Sequence, residues 1–307
     1  MEKAEKIDKK DIIPAIIMGG FFILIHALAL VITGTFKKAG MQAFENPDDP
    51  MNIALIIVIM LIFTLVILLI SKFWKKQLIQ VIILGAIGYT SGYVFYPLLD
   101  LFLTSLASII ISAIFALLLV IVLYKYPEWY VIDICGIIVG TGAIAIFGIS
   151  LGVFLVILLL IGLAIYDAIS VYKTKHMIDL ADTVMDLKLP VLLVIPKKLH
   201  YSLIEETQSL KEKIEEGGER EAFFMGLGDI VMPGILVVAA FNSVTNGLLL
   251  ASSVITGTLI GFSILMIFVM RGRPQAGLPL LCGGAITGYI IGSLILYGKL
   301  IGFSLLW

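Results

Sequence analysis

The chain has 307 residues, 60% of them hydrophobic and only 14% charged, with a formal net charge of −1. A soluble domain runs about 45–50% apolar and about 25% charged, so this composition excludes one and describes a polytopic membrane protein. With no basic face interleaved with exposed aromatics, nucleic-acid binding has no support.

A helix crossing the bilayer needs about 20 apolar residues. Residues 1–11 are short and charged and run directly into the first such stretch, about 12–34, which is too long for the apolar core of a signal peptide. His26 falls in this stretch and reads as a packed polar residue. Further stretches follow at about 53–71, 78–97, 101–124, 130–148 and 150–172. The last two are joined by almost nothing. They are divided near Gly148 and Ser150 because a single helix of that combined length is implausible. A long polar segment, 173–221, follows. Three more spans, about 222–244, 247–270 and 276–297, complete the chain. The expected fold is an all-α polytopic membrane protein with nine transmembrane helices. It has a six-helix part (1–172), a cytoplasmic loop (173–221) and a three-helix C-terminal part (222–307).

The positive charges orient these spans. Of 21 Lys and Arg, all but Lys37, Lys38 and Lys299 fall on one side of the nine-span arrangement. The positive-inside rule makes that side cytoplasmic, with the N-terminus inside and the C-terminus outside.

Two aspartates lie inside apolar stretches. Asp167 is near the end of the sixth span and Asp229 near the start of the seventh. A charged group at mid-bilayer costs about 2.5–3.5 kcal/mol on insertion scales, which makes such a residue a functional candidate. At the helical rise, Asp167 lies about 9 Å from its cytoplasmic end and Asp229 about 13 Å from its own. The two carboxylates therefore reach similar depths from the same face. Two close carboxylates cannot both ionise and share one proton, which suits acid–base hydrolysis of a peptide. Asp133, three residues into the fifth span, is a rival acid, read instead as an interfacial anchor or polar partner. Asp100, at the outer end of the fourth span, reads the same way.

Around Asp229, Gly226 and Gly228 allow a close backbone approach, and Pro233 leaves the Asp229 carbonyl without its helical donor. Pro279 fits a helix start. Gly284, Gly288 and Gly292 recur every four residues and make a packing face, as do Gly88 with Gly92 and Gly136 with Gly140. Cys135 and Cys282 read as small hydrophobes, and His26, His176 and His200 are too scattered to hold a metal. Within the loop, 177–187 is amphipathic, 192–195 is a short apolar run between prolines, and 205–221 is charged and solvated.

Tyr166-Asp167 in one span and Gly226-Leu227-Gly228-Asp229 in the next resemble the YD and GxGD motifs of the presenilin and signal peptide peptidase superfamily of intramembrane aspartyl proteases. That family's third motif, Pro-Ala-Leu, is matched by Pro279-Leu280-Leu281, with leucine in place of alanine. The cytoplasmic N-terminus resembles the presenilin branch, and the short soluble parts a microbial homologue. The resemblance implies that Asp167 and Asp229 are the catalytic pair, and that Tyr166, Gly226, Leu227, Gly228, Pro279, Leu280 and Leu281 shape the substrate site. It further implies cleavage of single-span transmembrane substrates within the lipid bilayer, with no metal or organic cofactor. It leaves a homo-oligomer open. Because a helical substrate hides its scissile bonds, it must unwind, and an extended segment can pair with a strand edge. The run 192–195 is the expected edge. The alternatives are a proton- or cation-coupled transporter or channel using the two aspartates, and a non-catalytic scaffold for membrane helices.

Overall fold

The computed structural model describes residues 9–73, 76–174, 192–197, 201–202, 222–271 and 275–303. The amphipathic run 177–187 and the charged segment 205–221 lie outside the described residues. Among those described, the elements are α1 (Lys9–Lys38), α2 (Met51–Phe73), α3 (Lys76–Leu99), α4 (Ser105–Lys125), α5 (Trp129–Ser150) and α6 (Val153–Ile169). Two strands follow, β1 (Leu192–Pro196) and β2 (Ala222–Gly226). Then come α7 (Leu227–Asn242), α8 (Leu248–Met270) and α9 (Gly277–Tyr297). The predicted nine helices are present, and seven are long and apolar enough to cross a membrane.

The predicted break between the fifth and sixth spans falls at Leu151 and Gly152. The α1–α2 loop holds this corner. Gly152 N–H donates to the Pro47 carbonyl at 2.8 Å, and Ala43 N–H donates to Ser150 Oγ at 2.7 Å. A Cβ at Gly152 would meet the Asp48 carboxylate, so a side chain there would displace Asp48 from the clasp.

The seventh predicted span, 222–244, is corrected. Its first five residues form β2, and α7 has only 16 residues. At 1.5 Å per residue α7 reaches about 24 Å, short of the hydrocarbon thickness of about 30 Å. Ala222, Phe223, Phe224 and Met225 are apolar enough to read as helix. They pair instead, antiparallel, with β1 in the register Leu193↔Met225, Val194↔Phe224, Ile195↔Phe223. Gly226 ends the strand and opens the helix.

Helix α7 occupies the centre of the bundle. Ile230 and every residue from 235 to 240 are buried, with α1, α5, α6, α8 and α9 packed around it. Phe22, Ile25, Ile144, Val156, Leu160, Leu236, Val254, Leu281 and Tyr289 fill the surrounding core. By contrast, α2 and α4 expose Leu, Ile, Val and Phe over most of their surface, as lipid-facing helices do.

Helices α8 and α9 meet backbone to backbone. A Cβ at Gly257 would lie 2.8 Å from the Gly288 Cα, and one at Gly284 would strike the Gly257 carbonyl. The predicted packing face of Gly284, Gly288 and Gly292 is therefore the α8 contact. Overpacking costs about 1–3 kcal/mol. Gly257→Val should accordingly lower the thermal unfolding midpoint in detergent by several degrees. Gly20→Ala, at a position facing open space, should leave it unchanged.

Candidate active site

Three chain segments converge at one end of the bundle. The first is the last full turn of α6, which carries Asp167. Its side chain is turned inward and only 4% of the residue is exposed. Immediately beyond, Ser170–Thr174 winds as a π-helix. The second is the first turn of α7. There Asp229 is the third helical residue, partly buried, and follows directly from β2. The third is the start of α9, where Ala276 precedes the helix and Gly277 and Leu278 are its first two residues.

The first N–H groups of a helix have no partner within it. In α9 they point at Asp167. Leu278 N–H donates to Asp167 Oδ2 at 3.1 Å, and the Gly277 N–H also bonds this carboxylate. A helix N-terminus carries partial positive charge, so an acid there is favourably placed. Asp229 stands on the other side of the same glycine. Its Oδ2 lies 3.0 Å from where a Cβ at Gly277 would sit and 3.4 Å from where one at Gly226 would sit. The two aspartates interact electrostatically across Gly277. A side chain at 277 would intrude on this space.

The other predicted residues take different places. Gly226 is the residue ahead of α7. Gly228 is exposed, with nothing within 4 Å of its Cβ position. Leu227 packs towards α5, its Cδ1 lying 3.1 Å from the Cβ position of Gly140. Tyr166 is 70% exposed, on the face of α6 away from the interior. Pro279 and Leu280 are partly buried, and Leu281 is turned fully into the core. The Leu280 carbonyl backs onto Gly261 of α8, so this segment is seated by its backbone.

Among the further contributors, residue type marked only His26, as a packed polar residue, and Cys282, as a small hydrophobe. Gly277 and Leu278 act through backbone N–H groups. The one hint was Pro279, since proline is tolerated in a first helical turn. The Tyr172 hydroxyl donates to Gln275 Oε1 at 2.6 Å and ties the π-helical end of α6 to the segment ahead of α9. His26 is wholly buried, and its Nε2–H donates to the Ile230 carbonyl at 3.0 Å, one residue beyond Asp229. Cys282 is a buried free thiol one turn into α9, within electrostatic range of both aspartates. Asp133 lies outside this cluster and binds β1 instead. No group of three or more His, Cys, Asp or Glu suited to a metal occurs among the described residues.

The family model described as signal-peptide peptidase, presenilin aspartyl protease matches residues 19–297. The chain belongs to this family. Two solved structures of a presenilin family intramembrane aspartate protease, in different crystal forms, are similar to it. One is 32% identical, covers 93% of this chain and 99% of its own, and superposes with a TM-score of 0.65. The other is 34% identical, covers 91% and 96%, and has a TM-score of 0.67. No curated protein matches the chain. The protein is thus a presenilin-family intramembrane aspartate protease with an all-α polytopic membrane fold.

Losing a hydrogen bond to a charged group costs about 1.5–3 kcal/mol, roughly 10- to 100-fold in rate if it acts at the reacting centre. Leu278→Pro removes the N–H that Asp167 accepts, at a helical position where proline is tolerated. Turnover should fall by about that factor, with little change in unfolding temperature. Steady-state proteolysis alongside thermal unfolding checks this.

Proposed function

We propose that Asp167 and Asp229 are the catalytic dyad and hydrolyse peptide bonds of single-span transmembrane helices. The observation that carries this reading is the meeting of the two acids on either side of Gly277. They share one proton. The ionised carboxylate takes a proton from water, and the resulting hydroxide adds to the scissile carbonyl carbon. The protonated partner gives its proton to the carbonyl oxygen, forming a gem-diol. On collapse the C–N bond breaks, the departing nitrogen takes a proton, and the dyad again holds one.

The surroundings support this chemistry. The N–H groups of Gly277 and Leu278 fix the Asp167 carboxyl, and the bare backbones at Gly226 and Gly277 leave room for an extended substrate beside Asp229. Gly228, Pro279 and Leu280 flank this space, Leu227 and Leu281 support it from the core side, and Tyr166, on the outer face of α6, meets substrate only as it approaches from outside the bundle. The cytoplasmic N-terminus, the outside C-terminus and an active site opening towards the cytoplasm are inferred from the distribution of Lys and Arg. The dyad then joins the six-helix and three-helix parts across the loop.

The substrate edge expected at 192–195 needs revision. These residues form a strand, but β2 pairs with one edge of β1, and on the other Val194 N–H donates to Asp133 Oδ1 at 2.8 Å. Because that N–H faces away from β2, Val194↔Phe224 is a non-hydrogen-bonded pair. Phe224 N–H and C=O consequently face outward from β2. Among the described residues no strand pairs with that edge. It runs directly into Gly226 and Asp229, and is the edge at which an unwound substrate pairs.

Two measurements test this function. Asp167→Asn and Asp229→Asn should each abolish cleavage of a purified single-span peptide while the unfolding temperature is kept. Product from both variants, or gradient-driven proton or cation flux without product, would replace the dyad reading. Phe224→Pro removes an outward N–H without touching the β1–β2 ladder, as proline at a strand edge permits. KM should rise about two- to tenfold, the scale of one hydrogen bond, with turnover at saturation largely kept.

A further inference from the structure

Asp133 stands apart from the dyad, yet it is 3% exposed inside α5, one turn from the start of that helix. A buried carboxyl of this kind needs a reason. Its only described partner is Val194 N–H of β1, at 2.8 Å, and its Oδ2 has none among the described residues.

That single contact falls on the backbone edge of β1 opposite β2. Three residues of β1 turn their backbone groups to this edge: Leu192, Val194 and Pro196. Pro196 has no N–H. Asp133 takes that of Val194. Helix α5 lies close against the strand, since a Cβ at Gly136 would sit 2.9 Å from Leu193 Cδ2. Lys197, just past β1, pairs with Asp11 of α1. The strand is therefore fastened at its middle to α5 and at its end to α1. β2 packs against β1 and α7, and its Phe224 side chain against the cluster that holds Val131, Ile132 and Cys135 of α5. One edge of the hairpin is closed by a side chain from the bundle, and among the described residues no strand pairs with the other.

We propose that Asp133 is a positioning residue for substrate. By accepting the Val194 N–H it closes the outer edge of β1 and fixes the hairpin to α5, so that an extended substrate pairs at β2 in a single register ahead of Asp229. The inference rests on the dyad and β2-edge reading above. The positional link is short. Val194 faces Phe224, Phe224 is two residues from Gly226, and Gly226 is three from Asp229. If the hairpin loosens, the substrate strand slips against β2. Side chains alternate along a strand, so a slip that keeps the same faces moves by two residues.

The test compares Asp133→Leu and Asp133→Asn with the parent full-length protein on one single-span peptide, reading products by mass spectrometry and kinetics together. Asp133→Leu removes the acceptor. It should add products displaced by two residues from the parent site and raise KM about two- to tenfold, the scale of one lost hydrogen bond. Asp133→Asn keeps a carbonyl acceptor and should restore the parent cleavage position. Amide hydrogen exchange over β1 should quicken in Asp133→Leu only. A residue that merely stabilised the bundle would lower the active fraction and leave the cleavage position unmoved. The parent product pattern and KM in Asp133→Leu, beside an inactive Asp167→Asn control, would overturn the role of Asp133 and leave the dyad intact. A parent protein that cleaves no helical peptide would overturn both. If Asp133→Leu fails to fold, Val194→Pro removes the same bond from the strand side. Unchanged products from that variant overturn the proposal equally.

Discussion

Two carboxylic acids inside an apolar bundle set the problem that the rest of the molecule answers. Neither can be left without polar company, since an unpaired buried charge is far costlier than any single contact returns. The answer lies in backbone. The start of α9 aims its unpartnered N–H groups at Asp167, and Asp229 shares the same glycine. To bring a helix end this close, α9 must lie flush against α8. The Gly257, Gly284 and Gly288 contacts and the seating of the Leu280 carbonyl on Gly261 serve that purpose. The α8–α9 packing seam thus sets where the donors stand relative to Asp167.

The same logic shapes the other two segments. Asp229 falls in the first turn of α7 because β2 takes the place of the helix's first residues, so the acid also sits where unpartnered N–H groups gather. Pro233 falls one turn on. His26 adds a donor at the Ile230 carbonyl. The beginning of α7 is thereby bound to α1 and fixed relative to the core. Asp167 in turn sits just ahead of a π-helical turn that Tyr172 ties to Gln275. The backbone around each acid is thus tied to a neighbouring element, by His26 beside Asp229 and by Tyr172 beyond Asp167.

Much of this was legible in the sequence where it depends on the cost of a side chain. Nine apolar stretches gave nine helices, and the two acids stood out because charge is expensive at that depth. Glycines at four-residue spacing in the last span marked its contact with α8. What escaped depends on backbone. Ala222, Phe223, Phe224 and Met225 are as apolar as the helix they precede, so periodicity alone did not separate strand from span. Gly277 and Leu278 act through N–H groups that any residue but proline would offer, and nothing in their side chains announces it. Tyr166 shows the reverse. It is adjacent to Asp167 in the chain, but the helical rotation carries it to the exposed face. Asp133 was legible as a polar partner, though not the strand it binds.

A strand edge inside a membrane protein is itself a constraint. Unpaired N–H and C=O groups cost several kcal/mol each in hydrocarbon, so an open edge survives only where water or protein covers it. β1 meets that requirement through α5, Asp133 and its pairing with β2. On the reading proposed above, the outer edge of β2 faces the wet space that hydrolysis needs, because water must reach the carboxylates. In that reading, a substrate helix entering this space trades its own hydrogen bonds for those of β2, and so loses less on unwinding than it would in lipid. The proposed reading makes the open edge, the water and the paired acids parts of a single arrangement. Closing the wrong edge of the hairpin matters as much as leaving the right one open.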